Sequence, residues 1–155
     1  MSLELRQVVQ QYDQILDVVK SHLNREAALA ATNDVLALVK LRIEKKGENF
    51  EGQSFSPYSS SYADFRQSQG SQTGYKDFSL TTRMLTNVTV KEVQITGERA
   101  ILEITTLDED EEREKLDGNS AREGVPILAP NRDEINLAAE TYIEMLVSGI
   151  ENKLR

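Results

Sequence analysis

Seven of the chain's nine aromatic side chains crowd into residues 50–78, a stretch without helical or strand periodicity. They are Phe50, Phe55, Tyr58, Tyr62, Phe65, Tyr75 and Phe78, set among Gly52, Pro57, Gly70, Gly74 and many Ser and Gln residues. Glycine and proline interrupt any sustained repeat, yet a plain disordered linker is poor in aromatics. A loop of this length is functional or disordered. Its rings favour an extended arm over 47–78 that docks onto another polypeptide, with the seven aromatics as partner-contact candidates. The competing reading is that the same rings merely cover the chain's own core.

The segments on either side do have a period. Leu5, Val8, Val9, Tyr12, Ile15, Leu16, Val19 and Leu23 recur at three- and four-residue steps, and a second stripe follows through Ala27, Ala28, Ala31, Val35, Leu38, Val39 and Ile43. Such stripes predict amphipathic helix over 1–46, either one kinked helix or a pair divided near Ser21–Asn24. Gly47, following Lys45 and Lys46, is a stop signal, since cations suit a helix C-terminus and glycine accepts positive φ.

Over 79–107 the expectation is a short helix starting near Ser79, with Leu80, Met84, Leu85 and Val88 on one face, and then a β-hairpin. Residues 88–95 and 100–107 are β-branched and partly alternating, and Thr96-Gly97-Glu98 supplies the turn. Residues 108–130 read as a charged helical stretch followed from Gly118 by a loop. The last segment, 131–155, carries the signature of a helix start: Asn131 as N-cap and Glu134 as its capping-box partner. Ile135, Ala138, Ala139, Tyr142, Ile143, Leu146, Val147 and Ile150 give it a broad apolar face. The sum is one α+β domain, with a long N-terminal helix or helix pair and a C-terminal helix packed on a small antiparallel sheet.

Composition narrows the function classes. A formal net charge of −8 disfavours nucleic acid as the main ligand, because phosphate binding needs clustered Lys and Arg. The acidic excess is local: residues 101–130 carry nine acidic and three basic side chains. Cysteine is absent, which removes disulfides and thiolate metal sites. No run approaches the ~20 apolar residues of a membrane span, so no membrane partner is expected.

The chemical inventory is sparse. His22 has neither a cysteine nor a second histidine to join it in a triad or metal site. The acidic run 108–112 resembles a calcium loop, but the glycine required at its sixth position is replaced by Arg113. Ser59, Ser60 and Ser61 lack the Gly-x-Ser-x-Gly elbow that exposes a nucleophile. No catalytic, cofactor-binding or metal residue is assigned, no cofactor is expected, and the chain reads as a non-enzyme.

Three groups of residues, in order, carry a resemblance. Phe50, Gly52, Phe55, Pro57, Tyr58, Ser59 and Tyr62, followed by Arg66 and Gly70, form the first. Leu80, Thr81, Arg83, Met84 and Leu85 lie just before the hairpin, with Thr82 where glycine is usual. Pro126, Ile127, Leu128, Pro130 and Asp133 lead into the final helix. Together, over about residues 35–150, they resemble the tailed-phage virion-morphogenesis family of neck and tail-completion proteins. The resemblance implies a structural subunit of the head–tail connector, made in the host cytoplasm and carried in the virion neck or tail. It also implies a hexameric or dodecameric ring of copies, contact with adjacent connector and tail proteins, and genomic DNA met only by passage through the lumen. The reading from residues alone leaves a second class open, a small cytoplasmic adaptor that binds one protein partner.

Overall fold

The computed structural model describes residues 10–17, 26–78, 83–95, 100–107 and 111–154. Residues 10–17 are helical (α1). They are followed by α2 (Glu26–Lys46), α3 (Ser60–Ser68), α4 (Arg83–Thr86), β1 (Val88–Ile95), β2 (Ala100–Thr106), α5 (Glu111–Glu123) and α6 (Arg132–Leu154). The N-terminal end of the first stripe, the divide at Ser21–Asn24 with His22, the Ser79–Leu80 helix start, the Thr96–Glu98 turn and Asp108–Asp110 lie outside the described residues.

The expected α+β arrangement is the one observed. β1 and β2 form a two-stranded antiparallel sheet in which Val88 faces Thr106 and Val90 faces Ile104, with an irregularity between Glu92 and Gln94. α2 packs against both strands and against α6, so the second stripe has two surfaces to cover. Val39 and Ile43 of that stripe join Phe55, Leu85 and Ile127 in the buried core, with Val35, Phe78, Leu116, Val125 and Leu128 packed around it. Lys40 on the same helix donates to the Val88 carbonyl at 3.0 Å, tying helix to sheet. Burial lowers the pKa of its ammonium, and Glu44 offsets part of that shift.

Gly47 ends α2 as expected, at φ +64°. Its N–H donates to Ile43 O at 2.9 Å. A Cβ here would stand 2.6 Å from Tyr75 Cδ2 and 2.8 Å from Tyr75 Cβ, so the position needs glycine for space as well as for conformation.

The 47–78 segment differs from the extended arm expected. It is a folded lobe on the body. Asn49 Oδ1 accepts from the N–H groups of Glu51 and Gln53 at 2.9 and 3.0 Å, and Glu48 bridges back to Ser54. That turn aims Phe55 into the core, where its ring meets Phe78 edge-on at 5.1 Å. Phe78 is held at φ 54°, a strained conformation for a residue with a Cβ. Farther along, the nine-residue α3 crosses a stretch that looked aperiodic.

The second difference lies in 108–130. α5 continues through Gly118 to Glu123 and stops before Gly124 at φ 71°. Glycine inside a helix costs about 1 kcal/mol, a penalty offset here by Leu116 packing on the core. The start of α6 is as read: Glu134 N–H donates to Asn131 Oδ1 and Asn131 N–H to Glu134 Oε2, both at 2.8 Å.

Candidate interaction surface

Three polar clasps hold the lobe and α6 in place. The first is centred on Arg66 of α3, whose side chain is 1% exposed. Its Nη2 donates to Asp77 Oδ1 and Oδ2 at 3.0 and 3.1 Å, and its Nε donates to Gln72 O at 3.0 Å. The guanidinium lies 4.6 Å from the Tyr58 ring centroid, a cation–π contact, and Nη1 is buried without a hydrogen-bond partner. Tyr58 Oη in turn donates to Asp77 Oδ1 at 2.9 Å and accepts from the Asp77 N–H at 3.1 Å. Burial is the largest influence on this phenol, which is pushed up to about 12; the Asp77 carboxylate adds to the rise, while the Asp77 N–H and Arg66 work against it.

In the second clasp Glu123, at the end of α5, gathers donors from the lobe. Ser56 donates to it through N–H and through Oγ, each at 2.8 Å, and the Lys76 ammonium donates to it as well. Burial pushes the Glu123 carboxyl up, but Lys76 and the two Ser56 donors outweigh burial and hold it below the ordinary carboxylate range. Lys76 Nζ also reaches Ser56 Oγ at 2.8 Å. A serine beside a lysine invites a nucleophile–base reading, and the proton inventory opposes it. Lys76 donates both to the Glu123 carboxylate and to Ser56 Oγ, so it stands toward the serine as a hydrogen-bond donor and not as a free amine base. Ser59, Ser60 and Ser61 are exposed at the start of α3.

The third clasp is Arg42 of α2. It donates to Glu134 Oε1 at 2.8 Å, to Ala129 O at 2.8 Å and to Glu48 O.

With the clasps in place, the seven aromatics divide. Phe55 is buried and Phe78 packs on the core, so both serve the subunit itself. Tyr75 is half-buried and donates to Glu44 O at 3.0 Å; Phe50 and Tyr58 are half-buried too. Only Tyr62 and Phe65, both on α3, are exposed, at 38% and 49%, with centroids 6.2 Å apart. The partner-contact expectation therefore narrows to this pair.

The last helix supplies a second exposed apolar surface. The broad apolar face of α6 splits in two. Ala138 is buried and Tyr142, Leu146 and Ile150 are half-buried, whereas Ile135, Ala139, Ile143 and Val147 are exposed at four-residue steps. Residues spaced this way line up along one side of a helix, so the four form a continuous apolar ridge. Its sequence signal was breadth: eight apolar positions is more than one seam against α2 can cover.

Beside the N-terminal end of α6 an open groove of about 390 Å³ runs along α2, lined in part by Leu38, Leu41, Leu137, Lys45 and Lys46. The charged α5 presents a different character, with Glu111 and Glu112 both paired to Lys115. Among the described residues no three metal-ligating side chains come together, and no helix is long and apolar enough to cross a membrane. Comparison with protein-family models, with curated proteins and with solved structures finds no match.

Proposed function

We propose that this chain is a structural subunit of the head–tail connector of a tailed phage, a neck or tail-completion protein that works in a ring and joins capsid to tail. The observation that carries the reading is the uncovered apolar surface: the α6 ridge and the Tyr62–Phe65 pair stand on a body whose core is already filled. Single exposed apolar side chains are ordinary, but contiguous ones mark interaction sites, and aromatic rings give large contact area at low entropic cost. A structural role also agrees with the clasps, in which ionisable groups are consumed in holding the chain together.

The residues that carry the family resemblance support the reading in a second way. Phe55, Tyr58 and Arg66 build the lobe, Leu85 and Ile127 enter the core, and Pro130 leads into the cap of α6. They act as a set that makes one body. In such a ring, the acidic side of α5 suits a DNA passage, since carboxylates repel phosphates and let the duplex slide.

Deleting the gene tests the proposal. Filled heads and free tails accumulating side by side in micrographs of the lysate is the expected result. Joined, infectious particles would overturn it and leave the protein-binding adaptor as the better reading.

A further inference from the structure

We propose that the groove between α2 and α6 receives the α1 helix of a second copy of this chain. The inference rests on the reading that copies assemble with one another, and it assigns the surfaces that meet.

Both halves of the contact are on one molecule. The groove has an apolar floor of Leu38, Leu41 and Leu137, with Leu41 52% and Leu137 50% exposed. Exposed Lys45 and Lys46 line it from the last turn of α2, exposed Asp133 lines it from the first turn of α6, and the buried Arg42 and Glu134 there neutralise each other. α1 is the complement: Tyr12, Ile15 and Leu16 fall on one stripe at three- and four-residue spacing, with Tyr12 62% exposed and the other two half-buried. Asp13 and Asp17, one helical turn apart, are exposed beside that stripe. An amphipathic helix laid in an apolar groove is a standard recognition mode, and two carboxylates on α1 match the two ammonium groups on the α2 side of the groove, which sets its orientation away from Asp133 on the α6 side.

Charge explains why such a pairing is needed. Copies that each carry −8 repel at long range, so a local match of opposite charge is required to set register and to exclude other approaches. The two surfaces differ, so the contact is head-to-tail. Each copy offers one α1 and one groove, and a contact of that type closes into a ring when its rotation closes.

Complementation of two full-length variants tests this in native mass spectrometry and sedimentation. One carries Tyr12→Glu with Ile15→Glu, which breaks α1; the other carries Leu41→Glu with Leu137→Glu, which breaks the groove. Circular dichroism establishes that each is folded. A third, charge-reversed pair combines Lys45→Glu and Lys46→Glu in one copy with Asp13→Lys and Asp17→Lys in the other. Wild type is expected to form species heavier than a monomer. Each broken variant alone should lose them, with association weakened at least about tenfold, the effect of about 1.4 kcal/mol. The two mixed should give a one-to-one dimer and nothing larger, because only one intact pair of surfaces remains, and the charge-reversed copies should associate with each other better than either with wild type. Wild-type assembly without a complementing dimer would overturn the assignment of surfaces while leaving the connector reading intact. A wild-type chain that stays monomeric at all concentrations would overturn the contact as well.

Discussion

Arg42 of α2 and Glu134 of α6, separated by 92 positions in sequence, meet at 2.8 Å with both side chains under a tenth exposed. The carboxylate has two tasks at once. Oε1 accepts from the guanidinium Nε, while Oε2 accepts the Asn131 N–H that completes the capping box of α6 and a longer 3.4 Å bond from the guanidinium Nη2. The start of the last helix is thereby fastened to the C-terminal part of α2. Through Glu48 O and Ala129 O the same arginine fixes the two loops beside it.

Glu134→Ala should therefore cost about 3 kcal/mol, because it strands a buried guanidinium as well as opening the cap. Glu134→Gln keeps an acceptor for the Asn131 N–H and should cost about 1–2 kcal/mol. Urea denaturation of the two variants measures the difference. Equal losses would mean that the ion pair accounts for the whole effect and the cap adds nothing beyond it.

Gly47 and Gly52 share a positive φ and differ in their surroundings. Gly52→Ala should cost about 1 kcal/mol, the backbone penalty alone, since nothing stands within 4 Å of an added Cβ. Gly47→Ala should cost at least about 2 kcal/mol, because Tyr75 must also move. Thermal unfolding reads both, and the order of the two midpoints is the informative quantity.

Much of this fold is legible in the residues. The stripes of α2 and α6, the glycine stop at 47, the hairpin and the Asn131–Glu134 box each rest on local rules of spacing and capping, and each stands where it was read. The lobe is not legible in that way. α3 is short and polar, and it is held by Arg66 burying its charge against Asp77 eleven positions on, a pairing that no periodicity announces. Gly118 misleads for a related reason, since Leu116 has the core to pack on and the helix continues past the usual breaker. The candidate surface is legible only in part: the residues mark the ring-rich segment, but which rings face outward depends on where Phe55 and Phe78 find the core.

That division of the aromatics has a direct consequence. Phe55→Ala should destabilise by about 3–5 kcal/mol, as for other large core truncations. Phe65→Ala should change stability by no more than about 0.5 kcal/mol, Tyr62→Ala, which also gives up an edge contact with the Tyr58 ring, by no more than about 1.5 kcal/mol, and both should weaken joining of heads to tails. Chemical denaturation gives the first result and counts of joined particles the second. Undiminished joining in both variants would remove Tyr62 and Phe65 from the partner surface.

Tyr58 sets an upper pH limit. Its hydroxyl is raised from an ordinary value of 10.0 to about 12 in the folded chain. The unfolded chain thus gives up this proton first, and the associated stability is intact below pH 10 and drains away as pH climbs from 10 to 12. Urea midpoints should fall across that window in wild type. Tyr58→Phe, which has no proton to lose, should show a smaller decline there, and parallel curves would detach the alkaline loss from this residue.

Reconstruction of purified particles at the unique capsid vertex is the most direct measurement of the central claim. The account predicts this chain as a closed ring between head and tail, with the α6 ridge and the Tyr62–Phe65 pair covered by neighbouring polypeptide. A vertex that lacks the chain, or a ring in which those side chains face solvent, would contradict it.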